Sequence, residues 1–308
     1  MAIRIAIVNP NQDADSVKVY RSLNKIQLSA LPEPLATLPG TATSYSDATA
    51  ARNTVYNYMV AITRGTDTLY TQNQQYGYFP DTGPGSSKLL RGNWKEGYFG
   101  TCTQNELFGA LELCTALNVS LAVQTANPIV WHKFILDGKI LFIPSVSIAS
   151  VALYSLYDAG LMYGTDDAGV RPATGTISTR TPKNQKTLVT KSDRQYLVRL
   201  PKASTAPTSE FLTDLTTADG RWSEGEWNRT MGRLGFTNFT FCTRTRWGRL
   251  PVVTSNNTAA TLAYTQHHNG AGNAVVMAYI AAGWDAPNNG LGVTSNYYGW
   301  KPVLELVL

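Results

Sequence analysis

Val55-Tyr-Asn-Tyr-Met-Val-Ala-Ile62 is the longest alternating stretch of β-branched and aromatic residues in this sequence of 308 residues. A period of two is typical of a β-strand that buries one face. The same period occurs on the N-terminal side, at Ile3, Ile5, Ile7, Val17 and Val19. Turn-forming Pro, Gly, Asn and Asp residues separate these stretches at the short spacing of an antiparallel sheet. Residues 1–80 are therefore predicted to form an all-β sandwich.

A Ser-Tyr-Ser-Asp turn at residues 44–47 precedes the strand pattern Tyr56-x-Tyr58-x-Val60. In this order the two features resemble the last three strands of a fibronectin type III-like or immunoglobulin-like module. The resemblance implies that Tyr56 is a corner tyrosine, whose hydroxyl forms a hydrogen bond back across the sandwich. The sequence departs from the pattern in two respects, because no tryptophan precedes Trp94 and because the β-rich stretch, which ends at about residue 78, is short for such a module.

The composition changes at residues 81–92, where Pro, Gly and Ser reach the density of a linker. Residues 93–308 are predicted to form an α+β domain with an antiparallel sheet and about three helices. Within this domain, Asp137-Gly138 is a type I′ turn pair and predicts a β-hairpin over residues 131–143. Residues 165–208 are rich in Thr, Ser, Lys and Pro and are predicted to form an extended insertion. The predicted fold class is mixed, an all-β sandwich followed by an α+β domain.

Helix signals occur at three places in the second domain. Thr103 with Glu106, and Ser223 with Glu226, have the spacing of a capping box, so each pair predicts the start of a helix. A further helix is predicted over residues 150–160, where the final glycine supplies a left-handed C-terminal cap.

Charge is sparse and evenly distributed along the chain. There are 26 Lys and Arg residues against 21 Asp and Glu, a formal net charge of +5 and a pI of about 9.0. No segment is a basic domain, so no nucleic-acid partner is predicted. The mean hydropathy is −0.16, and no run of about 18 apolar residues occurs, so no membrane insertion is predicted. The apolar stretch at residues 1–8 is too short for a signal peptide.

Residue types that carry catalysis are few and poorly spaced. Cys102 is interpreted as a small buried residue rather than as a nucleophile at a helix start. His267-His268 is the best candidate metal cluster, but adjacent side chains of a strand point apart, so a loop-surface role is predicted. His132 is expected to be a structural histidine, and no pair of acids lies on recognisable opposing strands. The sequence predicts no catalytic, cofactor-binding or metal-binding residue, no cofactor, and a protein that is not an enzyme.

Four aromatic residues near the C-terminus lie beside Gly, Asn and Pro, the composition of rigid loops that offer flat apolar faces. They are Trp247, Trp284, Tyr297 and Tyr298. One interpretation makes them surface residues that contact a receptor. The other places several tryptophans in the core, because the domain has few long aliphatic side chains. The sequence leaves both interpretations open.

An ordered set of short motifs spans most of residues 89–308. The set comprises Leu89-Leu-Arg-Gly-Asn-Trp94, Trp131-His-Lys-Phe134, Asp158-Ala-Gly-Leu-Met-Tyr-Gly164, Glu226-Trp-Asn-Arg229 and Gly299-Trp-Lys-Pro-Val-Leu-Glu305. It is similar to a domain that recurs in virion structural proteins of tailed bacteriophages, often beside immunoglobulin-like or fibronectin-like modules. The resemblance brings no catalytic residues with it.

This resemblance implies a structural component of a bacteriophage virion, such as a tail protein, a tail fibre or a head-surface decoration protein. The implied partners are other virion proteins and further copies of the chain in a homo-oligomer, with host attachment through a surface glycan or protein. The implied localisation is the virion, after synthesis in the host cytoplasm. Two alternatives stay open: a glycan-binding receptor-recognition module, and a virion-associated cell-wall hydrolase that would need a spatial pair of acids or a metal.

Overall fold

The computed structural model describes residues 2–9, 13–123, 128–171, 176–208, 224–234, 247, 262–268, 274–278, 288–289 and 299–308. The fold is mostly β, with 40% strand, antiparallel sheets and three short helices in the described part. This confirms the predicted mixed fold class. The chain divides into two compact units. The first unit comprises residues 1–82, 93–95 and 308, and the second comprises residues 83–92 and 96–307.

The first unit is an all-β structure of two sheets. Its strands are β1 (Ile3–Ala6), β2 (Ser16–Ser22), β3 (Ala36–Pro39), β4 (Ser44–Asp47), β5 (Thr54–Arg64), β6 (Asp67–Tyr70) and β7 (Gln74–Tyr78). Strands β1 and β4 form one sheet, whereas β3, β2 and β5 form the other, with β6 and β7 both paired to β5. All of these pairings are antiparallel.

The core of the first unit is built from the alternating residues that predicted its strands. One cluster joins both sheets and contains Ile3, Ile5, Ile7, Val17, Val19, Tyr56, Tyr58 and Val60. The Tyr56 hydroxyl accepts a hydrogen bond of 3.1 Å from the backbone N–H of Ala51. A bond from a tyrosine hydroxyl to the backbone a few residues upstream is the corner interaction expected at this position.

A buried carboxylate, Asp47, joins the two sheets of this unit. It accepts hydrogen bonds from Arg21 at 2.7 Å, from the Tyr58 hydroxyl at 2.6 Å and from the Thr49 N–H at 2.9 Å. Burial alone would raise the pKa of Asp47, but the bonds from Tyr58, Thr49 and Arg21 hold it below its usual value. The carboxylate therefore stays charged and fully bonded inside the sandwich.

The second unit contains two further sheets. Its strands are β8 (Arg91–Gly92), β9 (Glu96–Thr103), β10 (Ala122–Val123), β11 (Val130–Leu136), β12 (Lys139–Pro144), β13 (Ala149–Ser150), β14 (Thr187–Lys191), β15 (Arg194–Arg199), β16 (Leu262–His268), β17 (Ala274–Ala278), β18 (Asn288–Asn289), β19 (Gly299–Trp300) and β20 (Val303–Leu306). A seven-stranded sheet has the order β14-β15-β20-β12-β11-β9-β8, and a six-stranded sheet has the order β10-β13-β19-β16-β17-β18. Only the β16–β19 contact is parallel among the pairings of the described strands.

The predicted hairpin is strands β11 and β12. Asp137 and Gly138 have φ angles of 47° and 82°, the left-handed conformation that a type I′ turn requires. Leu136 pairs with Lys139 directly across this turn. Turn chemistry was therefore sufficient to predict both the hairpin and its register.

The helices are shorter than predicted. They are α1 (Ala110–Ala116), α2 (Leu153–Asp158) and α3 (Glu226–Arg229), with 3-10 helices at Thr176–Thr179 and Met231–Leu234. Glu106 does accept a bond from the Thr103 N–H at 2.7 Å, but this box closes a turn, and α1 begins only after Gly109. A second capping box explains why the helix begins later than predicted, because the Glu112 side chain accepts a hydrogen bond of 3.2 Å from the Gly109 N–H.

The other two helix predictions differ in outcome. Helix α2 ends where predicted, and Gly160 follows it with a φ of 75°. The predicted cap Ser223 lies outside the described residues, and Gly225 precedes α3. Within the described part of the chain, no helix is long and apolar enough to cross a bilayer.

Two segments that were predicted to be linker or insertion belong to the second unit. Residues 83–92 are not a free linker, because the buried Lys133 ammonium donates to the carbonyls of Gly83 at 3.2 Å and Ser86 at 2.8 Å, and β8 joins the sheet. Residues 165–208 contain β14 and β15 of the seven-stranded sheet rather than an extended arm. In both cases polar and turn-forming composition indicated a linker or an insertion, although part of each segment forms strands of a sheet.

Candidate functional site

A pocket of about 610 Å³ with both polar and apolar lining lies in the second unit, beside the turn of the β11–β12 hairpin. Its walls come from this turn, the C-terminal end of β15, helix α3, strand β16 and the segments 163–170 and 202–208. The volume is within the range of roughly 300–1,000 Å³ that is usual for small-molecule sites. The pocket is the candidate site of the described chain.

One of the arginines that line the pocket lies between two carboxylates. The Arg199 side chain is 4% exposed and binds both oxygens of Glu226, at 2.8 and 2.6 Å. It also binds Glu305 at 3.0 and 2.9 Å, and Lys139 reaches the same carboxylate at 2.7 Å. Burial alone would lower the pKa of Arg199, but Glu226 and Glu305 outweigh it and hold the pKa above its usual value.

Sheet register explains why these groups meet. Arg199 of β15 lies opposite Val303 of β20, and Glu305 lies opposite Leu197. Arg199 and Glu305 are therefore diagonal neighbours on one face of the sheet, where long side chains reach each other. Glu226 begins α3 and also accepts a bond of 3.2 Å from the Lys202 N–H.

A second ion-pair network forms the rim beside the hairpin turn. Arg229 of α3 binds Asp137 at 3.0 Å and the buried Glu96 at 3.0 Å. Arg233 also binds Glu96 and lies over the ring of Trp247, 4.0 Å from its centroid. These contacts fix the hairpin turn to α3, so two of the elements that line the pocket are anchored to each other.

Two charged groups in the pocket keep unused hydrogen-bonding capacity. Among the described residues, the Lys202 ammonium has neither a hydrogen bond nor an ion pair; desolvation, followed by the charge of Arg199, lowers its pKa. One oxygen of Asp167 accepts from the Thr165 hydroxyl at 2.6 Å and from the Gly169 N–H at 2.8 Å. These bonds lower the pKa of Asp167 and leave its second oxygen for another donor.

The lining of the pocket mixes balanced charge, hydroxyl groups and an apolar wall. Four acidic and four basic side chains contribute, namely Asp137, Asp167, Glu224, Glu226, Lys139, Arg199, Lys202 and Arg229. Hydroxyl groups come from Thr165, Ser204, Thr205 and Thr208, and apolar surface from Leu136, Val170, Ala206 and Pro207. The site therefore carries many polar groups, and the charges of its described side chains balance.

The aromatic residues that were candidates for receptor contact have different outcomes. Trp247 is only 7% exposed and belongs to a core cluster, where its ring stacks near Tyr98 and Phe134. For this residue the core interpretation holds, because no flat face is available to a partner. Trp284, Tyr297 and Tyr298 lie outside the described residues.

The titratable residues considered for chemistry are buried. Cys102 is in β9, and burial raises the pKa of its thiol to about 12, so it is no activated nucleophile. His267 is 0% exposed, accepts from the Ala203 N–H at 3.3 Å and donates to the Ala206 carbonyl at 3.0 Å. The predicted loop-surface role is therefore wrong for His267, since β16 packs inward.

No three His, Cys, Asp or Glu side chains of the described residues are grouped to hold a metal ion.

A buried polar cluster lies where the chain passes between the two sheets of the second unit. Its members are His132, Ser145, Ser147, Trp300 and Lys301. The side-chain atoms His132 Nε2, Ser145 Oγ, Ser147 Oγ and Trp300 Nε1 have no hydrogen-bond partner in the described structure. The Lys301 ammonium donates to the Ser145 carbonyl at 3.2 Å, and the Ile148 N–H donates to the Trp300 carbonyl at 2.8 Å. We call this the junction cluster.

Titration in the junction cluster is governed by burial. Burial, followed by the charge of Lys301, lowers the pKa of His132 to about 4. Burial lowers the pKa of Lys301 to about 8. The Tyr98 hydroxyl lies 3.1 Å from His132 Nδ1, which makes this histidine a structural residue, as expected from the sequence.

Comparison of the chain with protein-family models, with curated proteins and with solved structures finds no match. The pocket residues were not singled out as a site from the sequence. They come from segments far apart in the chain, and 106 residues separate Arg199 from Glu305. Three of these residues, Glu226, Arg229 and Glu305, lie within the short motifs described above. Those motifs were the only indication of the site in the sequence.

Proposed function

We propose that this chain is a structural component of a bacteriophage virion, in the tail, a tail fibre or the head surface. The observation that carries the proposal is the order of the two units, a small β-sandwich with a tyrosine corner followed by a larger α+β unit. Virion proteins of the type that the motifs resemble often combine such modules. The proposed partners are other virion proteins and further copies of the chain.

The use of charge in the second unit supports a structural or binding role. Arg199 and Arg229 are each held between two carboxylates, which is the arrangement of a rigid scaffold. A general acid needs a carboxyl group whose pKa is raised towards neutrality. The pKa values of Asp167 and Glu305 are shifted in the opposite direction, downwards.

The test is localisation of the chain in phage particles. An antibody against the purified protein would be applied to particles banded in a density gradient after lysis, with immunogold electron microscopy to find its position. The expected result is co-sedimentation with particles and labelling at a defined place on the tail or head. Recovery only in the soluble fraction of the lysate would contradict the proposal.

The oligomeric state gives a second test. Light scattering after gel filtration is expected to show a homo-oligomer of the purified chain, or assembly with a protein of the particle. A monomer that associates with no particle protein would count against a role in virion assembly.

A further inference from the structure

We propose that the pocket beside the β11–β12 hairpin turn in the second unit binds a neutral, hydroxyl-rich saccharide. This inference rests on the geometry of the pocket and does not depend on the proposed place of the chain in a virion. Three properties carry it: the balance of charge among the described lining residues, the presence of both an unused donor and an unused acceptor, and the apolar side chains of the lining.

The charge balance selects an uncharged ligand. Among the described lining residues, four basic side chains are matched by four acidic ones, and Arg199 and Arg229 are already bound to carboxylates. A phosphate, a sulfate or a polyanion would gain from Lys202 but would meet Asp137 and Asp167 as well. A free cation would be repelled by the ammonium of Lys202. A ligand with polar groups and no net charge avoids both penalties.

The unused hydrogen-bonding groups match a hydroxyl-bearing ligand. Lys202 can only donate, whereas the second oxygen of Asp167 can only accept. A hydroxyl group does both, so the hydroxyls of a sugar can serve either group. Thr205 and Thr208 add further hydroxyls to the lining.

The polar groups are held in place before a ligand arrives. Asp167 is fixed by Thr165 and Gly169, and the Lys202 backbone is fixed by its bond to Glu226. Side chains and loops that are already ordered lose little conformational entropy on binding. This favours measurable affinity for a ligand that offers only hydroxyl hydrogen bonds.

The apolar part of the lining suits the C–H face of a sugar ring. Leu136, Ala206 and Pro207 line the pocket together with Val170, whose side chain is 44% exposed. An exposed apolar side chain at the edge of a polar cavity is covered when a ring lies against it. A small fully polar ligand would leave this surface in water.

The experiment is saturation-transfer difference NMR on the full chain. The probes are glucose, galactose, mannose, N-acetylglucosamine and maltose, with inorganic phosphate and glutamate as charged comparisons. Saturation transfer to ring protons is expected for at least one neutral sugar, which is then titrated to obtain a Kd. A polysaccharide of the same sugar, added in a second series, shows whether the pocket accepts a free sugar only or also a polymer.

Two variants test the pocket against two matched controls. Lys202→Met and Asp167→Asn are each expected to raise the Kd about 10-fold or more, because each removes one hydrogen bond to a charged group. Asparagine keeps an acceptor for Thr165 and Gly169, so the loop is retained. Asp166→Asn and Lys186→Met alter an exposed ion pair beside the pocket and are expected to leave the Kd unchanged.

The outcomes separate this inference from the proposed function. The inference is overturned if no neutral sugar of the panel shows saturation transfer, if phosphate or glutamate binds in their place, or if Lys202→Met and Asp167→Asn bind as well as the controls. Circular dichroism of each variant checks that the fold persists. Sugar binding by a chain absent from particles would remove only the virion role, whereas a particle protein without sugar binding would remove only the pocket assignment.

Discussion

Arg199 and Lys301 are both buried cations of the second unit, yet their surroundings act on their charge in opposite directions. Arg199 lies between Glu226 and Glu305, and its pKa is raised. Lys301 lies in the junction cluster, where desolvation lowers its pKa to about 8. The buried charge of Arg199 is compensated by two carboxylates. The charge of Lys301 in the junction cluster instead costs desolvation free energy. The free energy of unfolding should therefore fall when the Arg199 network is mutated, and it should change with pH through the junction cluster.

Replacement of Arg199 by Met is expected to have the most severe effect on stability. It leaves Glu226 and Glu305 buried without their main partner, and breaking a buried pair in this way costs about 3–5 kcal/mol of unfolding free energy. Urea unfolding followed by circular dichroism would measure the loss. A triple variant, Arg199→Met with Glu226→Gln and Glu305→Gln, should recover part of it. Equal stability of the single and triple variants would show that charge compensation is not what holds this network.

His132 makes the junction cluster sensitive to acid. The unfolded chain binds a proton at this residue below pH 6.5, whereas the folded chain does so only below about pH 4. Unfolding free energy should thus fall by up to about 3 kcal/mol as the pH drops from 6.5 to 4. Urea midpoints across this range would show the decline, and His132→Gln should flatten it. An unchanged acid dependence in His132→Gln would assign the decline to other groups.

Lys301 makes the same cluster sensitive to alkali. Because its folded pKa is about 8 against 10.5 in the unfolded chain, the unfolded state binds more protons between these values, and stability should rise with pH across this window. Lys301→Met is expected to stabilise the protein by about 1–2 kcal/mol at pH 7, since it removes a desolvated charge together with the bonds of the ammonium, among them the one to Ser145.

Lys133→Met is the matched control for Lys301→Met. Lys133 is equally buried, but its ammonium is bound by two carbonyls and lies near the rings of Phe99 and Phe142. This variant should lose stability and keep the alkaline rise. Destabilisation by Lys301→Met of the same size as by Lys133→Met would contradict the contrast between the two sites.

The corner tyrosine of the first unit gives the smallest expected effect. Tyr56→Phe removes the bond to the Ala51 N–H and should cost about 1 kcal/mol. Tyr76→Phe is the control, because the Tyr76 hydroxyl binds only the exposed Gln74 side chain. Thermal unfolding of both variants would show whether the corner bond contributes more than an exposed one. A loss for Tyr76→Phe equal to that for Tyr56→Phe would mean that it does not.

Local chemistry was enough to predict several elements from the sequence. The strands of the first unit followed from alternation, and the β11–β12 hairpin followed from Asp137-Gly138, whose left-handed φ angles are a property of the turn itself. The start of α1 was missed because two capping boxes compete, Thr103 with Glu106 and Gly109 with Glu112. Only packing decides between them, and packing is not a local property.

The pocket was beyond prediction for the same reason. Arg199, Glu226 and Glu305 meet because β15 and β20 are neighbours, although nothing near β15 in the sequence indicates that a strand from residue 303 onwards will lie beside it. Asp167 and Lys202 stand in a segment whose composition suggested an insertion. Their role depends on which oxygen or nitrogen is left without a partner after folding, and residue types alone do not contain that information.

The position of β20 has a consequence for how the second unit is made. This strand lies between β15 and β12, and 166 residues separate Lys139 from its partner Glu305. During translation, β12 and β15 must wait for residues 303–306 before the sheet can close, so folding of this unit is governed by high contact order. A chain interrupted before residue 303 would carry two unpaired strand edges, the surfaces on which aggregation begins.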